Sequence, residues 1–420
     1  MPGRVVLGVG AGIAAYKSCE LLRLLTESGY RVRVVPTPDA LRFVGEATWA
    51  ALSGEPVTTD VWTAVAEVPH VRIGKSADLV LIAPATADLM ARAAAGMAGD
   101  LLTATVLTAR CPVIYAPAMH TEMWEHPATQ ANVSLLRDRG AIVLEPAVGR
   151  LTGADSGAGR LPEPAEIFAV ATGVLARRGR PEGSPPLDLA GRRVVVSAGG
   201  TREEIDPVRF IGNWSSGMQG YALARTAVAR GAEVVVVAAN VALPDPAGVK
   251  VVRVVSARDM QDAVAVAAAH GGIRGDDADA VVMAAAVADY RPATRNAAKL
   301  KKDGQRPEPL ALTENPDILA GLAARRAHPP GGPKVLVGFA AETDTAAQAA
   351  RAKLARKGCD LLVVNPVGNG LGFGTIDNEA VVYGADGTVT QVPRGPKEAL
   401  AHVVWDLVAA RLGPPRPEPC

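Results

Sequence analysis

The strongest constraint on the fold is a strand–turn–helix–strand pattern that occurs twice in the chain. In residues 4–36 the strand RVVLGV leads into a glycine-rich turn, the helical segment AAYKSCELLRLLTES and the strand RVRVVP. Residues 192–239 repeat this order with RRVVVSA, GGT, a long loop, GYALARTAVARG and EVVVVAA. Continuous Val-rich strands are typical of parallel sheets covered on both faces. The sequence therefore predicts an α/β fold with two doubly wound, mainly parallel-sheet domains.

The domain boundary is predicted near the middle of the chain. With 420 residues the chain exceeds one ordinary core. Residues 177–191, RRGRPEGSPPLDLAG, combine proline, glycine and charge without apolar periodicity, as linkers do. We expect flavodoxin- or Rossmann-like domains at residues 1–178 and 192–412, a linker at 179–191 and a flexible tail at 413–420. In such folds ligands lie beyond the carboxyl ends of the strands, so the polar loops there are the places to search.

Composition excludes several classes of function. The 44 basic and 43 acidic residues give a net charge of +1, which offers no general attraction to nucleic acid or anionic membranes. The four cysteines lie far apart without a C-x-x-C pair, which indicates a reducing compartment and no zinc site. The chain contains no run of about 18 apolar residues, so no membrane span is predicted. We expect a cytoplasmic protein that acts on small molecules.

The first glycine-rich turn contains Gly8, Gly10 and Gly12, whose backbone N–H groups are suited to a phosphate. The G-x-G-x-x-G spacing fails at Ile13, and the second strand ends in VVPT instead of the acid that would hold a ribose diol. A typical NAD site is therefore disfavoured. From these residues alone, a phosphate cradle and close strand–helix packing remain equal alternatives.

Three further motifs of the first half favour a bound cofactor. They are APATAD at residues 83–88, APAMHTEMW at 116–124, and His70 in PHVRIGKSADLVL. With the glycine-rich turn, they resemble the flavin-dependent cysteine decarboxylases. The resemblance implies that His70 is the catalytic base and that FMN is bound by Gly10, Ala11, Gly12, Thr37, Phe43, Pro84, Ala85, Thr86, Ala87 and Asp88.

The chemistry expected of that family explains these parts. A carboxylate on an unactivated carbon has no electron sink, so the flavin is expected to oxidise the neighbouring thiol-bearing carbon before carbon dioxide leaves. Imidazole suits the accompanying proton transfer near neutral pH. The resemblance also implies that His120, Met123 and Arg160 bind the substrate. The loop at residues 116–124 is expected to clamp the substrate, and its methionines are expected to pack the loop.

Two positions depart from the family pattern. His120 stands where the family commonly has Asn, and it can still donate a hydrogen bond to a carboxylate or amide. In GRLTGADSGAGRLPEP, Gly153 occupies the position of the cysteine that many relatives use as a proton donor. The sequence therefore leaves the proton donor of the decarboxylase half open.

Motifs of the second half indicate a nucleotide site. NWSSG leads into a helix, AAAVADYRP follows a buried strand, KLKK concentrates charge, and TENPDIL opens another helix. A lysine run is usually a solvated face. Together with Asp289, however, Lys299, Lys301 and Lys302 supply the metal ligand and cations that a triphosphate requires.

These motifs, in this order, resemble phosphopantothenate–cysteine ligase, and both halves together are similar to the bifunctional decarboxylase–ligase family of coenzyme A biosynthesis. The resemblance implies a homo-oligomer, Mg²⁺ at Asp289, charge stabilisation by Lys299, and recognition of phosphopantothenate and its acyl-cytidylate by Arg209 and Asn213, with Asn213 also catalytic. CTP would be bound by Met283, Ala284, Ala285, Ala286, Asp289, Lys299, Pro316, Asp317, Ile318, Leu319, Phe339, Lys353 and Lys357.

Alternatives remain at this point. Phe339 is a core residue on periodicity alone, and the i, i+4 pair Lys353 and Lys357 is the commonest surface pattern. A two-domain NAD(P)-linked dehydrogenase is opposed by the missing ribose-binding acid. A flavodoxin-like electron carrier would leave KLKK and NWSSG without a role.

Overall fold

The structure is a computed structural model that describes residues 3–60, 62, 68–151, 155–176, 187–269, 277–300, 309–326, 331–342, 347–367 and 377–415. The chain divides into two compact units. The first comprises residues 1–188 with 246–248, and the second comprises residues 189–245 with 249–420. Most of the predicted linker, from residue 179 to 186, lies outside the described residues.

The first unit is built on a five-stranded parallel sheet. Its strands are β1 (Arg4–Val9), β2 (Arg31–Pro36), β3 (Leu79–Ala85), β4 (Val113–Pro117) and β5 (Ile142–Val143). Their order is β2-β1-β3-β4-β5, and all neighbouring pairs are parallel. This is the flavodoxin-like 2-1-3-4-5 order, which reverses between β1 and β3. A separate antiparallel pair follows, formed by β6 (Ala147–Arg150) and β7 (Ser156–Arg160).

Helices surround this sheet, and 3-10 turns at Ile13–Tyr16 and Pro38–Arg42 follow its first two strands. The predicted first helix thus begins later, as α1 (Lys17–Glu27). The others are α2 (Glu46–Ser53), α3 (Pro69–Ser76), α4 (Ala87–Ala94), α5 (Leu101–Thr108), α6 (Thr121–Trp124), α7 (Pro127–Asp138) and α8 (Pro164–Ala176).

The second unit contains an eight-stranded sheet. In chain order its strands are β8 (Arg193–Gly199), β11 (Glu233–Ala239), β12 (Val249–Val254), β13 (Ala280–Met283), β16 (Val335–Glu342), β17 (Leu361–Pro366), β18 (Asp377–Gly384) and β19 (Val389–Pro396). The spatial order is β12-β11-β8-β13-β16-β17-β18-β19. The first six strands pair in parallel in the Rossmann order 3-2-1-4-5-6, and the predicted hairpin at Asp386-Gly387 adds the antiparallel edge.

Two short antiparallel ladders stand outside this sheet: β9 (Arg202–Glu204) with β10 (Phe210–Gly212), and β14 (Tyr290–Pro292) with β15 (Leu312–Glu314). The β9–β10 ladder occurs where a long loop was predicted, and β15 takes up the first residues of TENPDIL, which was expected to open a helix. The helices of this unit are α9 (Met218–Ala229), α10 (Ala257–Ala268), α11 (Ile318–Arg326), α12 (Ala347–Lys357) and α13 (Lys397–Leu412).

Both faces of the large sheet are covered, which explains the continuous apolar runs in its central strands. Val194, Val196 and Val236 pack with residues of α9 and α13 on one face. Val195 and Val237 point to the other face, against α10, α11 and α12. The predicted α/β fold class with doubly wound sheets is therefore confirmed. Within the described residues, none of the helices combines the length and apolar character needed to span a membrane.

Candidate functional sites

The first candidate site lies where the strand order of the first unit reverses. The turn after β1 approaches the loop after β3, and the Gly10 N–H donates to the Pro84 carbonyl oxygen at 3.0 Å. A Cβ atom on Gly10 would lie 2.5 Å from that oxygen. Only glycine allows this approach, so the two predicted flavin-binding loops, residues 10–12 and 84–88, are brought together by backbone contact.

Local contacts fix the shape of the 84–88 loop. Thr86 caps α4, because its Oγ1 accepts from the Leu89 N–H at 3.2 Å. Asp88 is exposed and pairs with Arg92 at 3.0 Å. Ala85 is fully buried, while Ala87, like Ala11 and Gly12 in the facing turn, is half-buried.

Thr37 provides a buried polar atom without a partner. Its backbone N–H donates to Val9 O at 2.9 Å, which places it at the end of β1 and β2. The side chain is 4% exposed, and Oγ1 makes no hydrogen bond within the described residues. Buried hydroxyls are normally satisfied, so this atom fits a ligand that supplies a donor or acceptor. Phe43 follows on the adjoining 3-10 turn with 49% of its surface exposed.

His70 lies at the second position of α3, a helix that was not predicted from the sequence. Its carbonyl oxygen accepts from Thr108 Oγ1 at 2.9 Å, which ties α3 to α5. The residue is half-buried, and its Nδ1 is buried without a hydrogen-bond partner in the part of the chain that is described. Buried ring nitrogens are normally hydrogen-bonded, so this nitrogen lacks, among the described residues, a partner that would be expected for it.

The antiparallel pair β6–β7 adjoins the 116–124 loop. The Met119 N–H donates to Gly159 O at 2.9 Å, which brings Arg160 beside His120. Arg160 pairs with Glu163, and Glu163 also accepts from Lys17 Nζ at 3.2 Å.

The expectation that methionines pack this loop holds only for Met119. It is partly buried against the first-unit core, where Trp124 is also buried. The expectation is wrong for Met123, which is 49% exposed because it lies on the outer side of the short helix α6. His120 is exposed at the start of that helix. Gly153 lies outside the described residues.

The second candidate site is a cleft of about 840 Å³ at the carboxyl edge of the large sheet. Asn213 and Phe339 line it, and Phe339 also packs half-buried against the core. The other predicted nucleotide residues that line it are Met283, Ala284, Ala285, Ala286, Asp289, Pro316, Asp317, Ile318, Leu319, Lys353 and Lys357.

Strand order explains the position of this cleft. The order reverses between β8 and β13, so the loops that follow these strands diverge and leave a crevice. Gly199 makes the turn after β8 at φ 84°, and its carbonyl accepts from the Ala286 N–H at 2.8 Å. Thr201 Oγ1 accepts from Ala288 N at 2.9 Å, and Asn213 Nδ2 donates to Val287 O at 3.0 Å. Side chains of the first loop thus hold the backbone of the second.

Two lysines of α12 enter the cleft, each beside a carboxylate. Lys357 pairs with Asp317 at 2.6 Å, and Lys353 pairs with Glu342 at 2.7 Å. Burial opposes ionisation of Asp317, but hydrogen bonds from Lys357 and Ala320 N–H outweigh it and hold its pKa below the usual range. Both pairs are partly exposed, so the lysines can exchange a carboxylate for a phosphate at little cost.

Arg209 and Lys299 do not line the cleft with the other predicted residues. Arg209 Nε donates to the buried carboxylate of Asp206 at 3.0 Å, and Asp206 also accepts from the Leu300 N–H at 3.1 Å. The guanidinium of Arg209 donates to Leu300 O at 2.8 Å. The hydrogen bond from Arg209 is the largest cause that holds the pKa of Asp206 well below its usual range. Arg209 and Lys299 are therefore held near each other by Asp206, while Lys301 and Lys302 lie outside the described residues.

Ser215 and Ser216 line the cleft as part of the predicted NWSSG motif. Four further lining residues were not predicted from the sequence: Gln219, Asn365, Asn378 and Lys397. The described residues contain no group of three or more His, Cys, Asp or Glu side chains placed to hold a metal ion. Any divalent cation at Asp289 would thus depend on oxygen ligands from a bound phosphate.

Comparison with known proteins covers both halves of the chain. The family model described as Flavoprotein matches residues 2–176, and the one described as DNA/pantothenate metabolism flavoprotein C-terminal domain matches residues 189–412. The chain is 57% identical over 418 residues to the coenzyme A biosynthesis bifunctional protein CoaBC of Mycobacterium tuberculosis (strain ATCC 25618 / H37Rv), covering 98% of this chain and 97% of that protein. The protein of the same name from Vibrio vulnificus (strain YJ016) is 41% identical, with 98% of both chains covered.

Solved structures match each half separately. A crystal structure of the C-terminal domain of a coenzyme A biosynthesis bifunctional protein CoaBC is 34% identical, covers 54% of this chain and 98% of its own, and has a TM-score of 0.44. A PPC decarboxylase mutant complexed with pantothenoylaminoethenethiol is 29% identical, covers 41% and 97% of the two chains, and has a TM-score of 0.38.

Proposed function

The chain belongs to the family of coenzyme A biosynthesis bifunctional proteins, and from this premise we propose how its two units divide the work. It is an enzyme with phosphopantothenate–cysteine ligase and phosphopantothenoylcysteine decarboxylase activities. The second unit carries out the ligation and the first unit the decarboxylation that follows it. The cleft of the second unit carries this proposal, because it gathers at one sheet edge nearly all residues expected to bind CTP.

In the ligase unit, the carboxylate of 4′-phosphopantothenate attacks the α-phosphorus of CTP and displaces pyrophosphate. The acyl-cytidylate formed is a mixed anhydride, which the amine of cysteine then opens to an amide with release of CMP. Lys353 and Lys357 bind the nucleotide, and Phe339 packs against it. Asn213 orients the acyl group, and Arg209 and Lys299 approach the reacting groups together because Asp206 holds both of their segments. Asp289 would hold Mg²⁺, which when bound would supply positive charge to offset the charge that develops on the phosphates.

In the decarboxylase unit, the residues present fit a bound FMN. Within the described residues Thr37 Oγ1 is buried without a partner, and Gly10 lets the 10–12 turn lie against the 84–88 loop, because a Cβ there would collide with Pro84 O. When bound, FMN supplies the electron sink that decarboxylation of a cysteinyl carboxylate lacks. The backbone of the 10–12 and 84–88 loops, with Thr37 and Phe43, would hold it. His70 would accept the thiol proton, and His120 and Arg160 would bind the substrate carboxylate and the phosphopantothenoyl arm.

The family resemblance further supports a homo-oligomer acting in the cytoplasm on small-molecule substrates. A two-domain NAD(P)-linked dehydrogenase is not favoured, since strand β2 ends at Pro36 and Thr37 without the acid that would bind a ribose diol.

The absorption spectrum of the purified protein tests the flavin assignment. Flavin absorption bands support the assignment if the chromophore is released when the protein is denatured. A colourless protein that binds NADPH would refute it. For the ligase, amide formation must depend on added CTP. Equal rates with and without CTP would refute the assignment of the cleft.

A further inference from the structure

Lys397 is a cleft residue to which neither the sequence motifs nor the proposed chemistry gives a role. It is the first residue of α13, it is only 5% exposed, and it lines the cleft of the second unit. Lysine is seldom buried to this extent unless its charge is paired. Its surroundings therefore show what the ammonium group is for.

Burial and helix position both disfavour a lysine here. The N-terminus of a helix carries partial positive charge, so a cation at its first position is destabilising. Burial lowers the pKa of Lys397 from its ordinary value, against the opposing influence of Glu398 and Asp377. These two costs require a compensating partner.

The protein supplies only a weak hydrogen-bond partner for the Lys397 ammonium group. The Lys397 ammonium makes one hydrogen bond within the described part of the chain, a long contact of 3.4 Å to Asp377 O. The carboxylates close to it are engaged elsewhere: Glu398 pairs with Arg225 at 2.6 Å, and Asp377 lies 3.8 Å from Arg394. An ammonium group has three donors, so most of its capacity remains for a ligand.

The wall beside Lys397 is suited to an anion. Gln219, in the first turn of α9, donates to the Lys397 carbonyl at 3.2 Å, and Asn378 Nδ2 donates to Gln219 Oε1 at 3.0 Å. These contacts place Lys397 beside the N-terminus of the 12-residue helix α9, where Ser215 and Ser216 also line the cleft. Helix N-terminal N–H groups, hydroxyls and a cation together form a phosphate-binding arrangement.

We propose that Lys397 and the first turn of α9 form a phosphate subsite of the ligase cleft, which receives a phosphate group of a substrate. The inference rests on the proposed ligase function. Two substrates carry such a group: the triphosphate tail of CTP and the phosphomonoester of 4′-phosphopantothenate. Apolar Phe339, Leu319 and Leu362 line the same cleft and suit a base or an alkyl chain instead.

Binding to Lys397→Met tests the subsite. Methionine retains the length and apolar body of the side chain and removes the charge, and Lys250→Met on exposed β12 is the control with the same change in net charge. Dissociation constants are measured calorimetrically for CTP, cytidine, 4′-phosphopantothenate and pantothenate. Loss of one charged hydrogen bond predicts binding of a phosphorylated ligand weakened about tenfold to a hundredfold. Lys397→Arg should recover part of the loss.

The ligand pairs identify the source of the phosphate. A loss for CTP but not cytidine assigns the subsite to the nucleotide, and a loss for 4′-phosphopantothenate but not pantothenate assigns it to the other substrate. Equal binding of all four ligands by the variant and the wild type would overturn the proposal. An equal loss for phosphorylated and unphosphorylated ligands would also overturn it, because the lysine would then be structural. If the wild type binds no CTP, the proposed ligase function fails instead.

Discussion

At the residue scale, the first site contains buried polar atoms that have no hydrogen-bond partner among the described residues. Among the residues that the structure describes, Thr37 Oγ1 and His70 Nδ1 have no hydrogen-bond partner although both are buried, and Gly10 has no side chain where Pro84 O approaches. Buried polar groups of this kind are expected to be satisfied when ligand is bound. The decarboxylase unit is therefore organised around a ligand, which the protein's own side chains do not replace.

Gly10→Ala tests this organisation. The added Cβ would lie 2.5 Å from Pro84 O, so the two loops must separate and flavin binding should fall at least tenfold. The measurement is the flavin content of purified protein by absorbance, with thermal unfolding as a check on folding. Gly321→Ala, on an exposed stretch of α11 with no atom within 4 Å of the new Cβ, is the control. Normal flavin content in Gly10→Ala would show that the loop contact is not needed.

Sequence reasoning reached these residues unevenly. The sequence alone argued against a dinucleotide site, through Ile13 and the VVPT end of β2, because glycines and acids have fixed roles in such turns. The burial of Thr37, and the lack of a partner for its hydroxyl among the described residues, could not be predicted, since both depend on side chains far away in the chain. Lys397 escaped for the same reason: PKEAL reads as an ordinary helix start, and only the fold brings it to the cleft.

At the element scale, short polar contacts position the functional segments. Asp206 receives the Arg209 side chain and the Leu300 N–H, and the Asn296 N–H donates to Ile205 O at 2.9 Å. The segment that carries Lys299 is thereby fastened to the β9–β10 ladder.

Asp206→Asn should loosen that attachment. The ligation kcat is expected to fall by about tenfold to a hundredfold, because small displacements of reacting groups are costly, while decarboxylation of supplied 4′-phosphopantothenoylcysteine stays unchanged. Asp245→Asn, which removes a more exposed carboxylate paired with Arg253 at 2.7 Å, should leave ligation near the wild-type rate. Undiminished ligation by folded Asp206→Asn would exclude a positioning role.

The start of α5 should be sensitive to acid. Asp100 caps this helix by accepting from Thr103 N at 2.8 Å, and it also accepts from Arg92 at 2.7 Å. Burial opposes its ionisation, but these hydrogen bonds prevail, so the pKa of Asp100 is lowered in the folded protein. A lowered carboxyl pKa contributes stability that is present above about pH 4 and is lost as pH falls below the unfolded value.

Hydrogen exchange of the Leu101–Thr108 peptide at pH 6 and pH 3, corrected for intrinsic exchange, measures this effect. Wild type should lose protection at pH 3, whereas Asp100→Asn should already be weakened at pH 6 and change less with pH. Asp262→Asn, at an exposed position of α10, serves as the control, and its hydrogen exchange should show the same pH dependence as that of the wild type. Identical pH dependence in Asp100→Asn and wild type would contradict the assignment.

Elements differed in how well the sequence predicted them. The long Val-rich strands were legible because burial on both faces leaves a continuous apolar run. The ladders β9–β10, β14–β15 and β6–β7 were missed because strands of three to five residues, rich in charge or glycine, carry no clear alternation. Arg209 directly precedes β10 and Arg160 ends β7, so two of the predicted site residues lie at elements that the sequence did not predict.

At the scale of the whole molecule, the chain contains two sheets whose strand orders each reverse at one point. The first unit follows 2-1-3-4-5 and the second 3-2-1-4-5-6, and the predicted residues of the two halves lie in different units. Doubly wound sheets were predictable from the repeated pattern. The strand orders were not, because pairing of distant strands leaves no local trace in the sequence. Since each set of residues belongs to one unit, the account requires two separable reactions.

Product analysis of His70→Asn by mass spectrometry tests that requirement most directly. Supplied with 4′-phosphopantothenate, cysteine and CTP, the wild type should form 4′-phosphopantetheine and carbon dioxide. The variant should release CMP at the wild-type rate and stop at 4′-phosphopantothenoylcysteine. Continued release of carbon dioxide by the variant, or loss of ligation together with decarboxylation in a folded protein, would contradict the division of the two reactions between the two units.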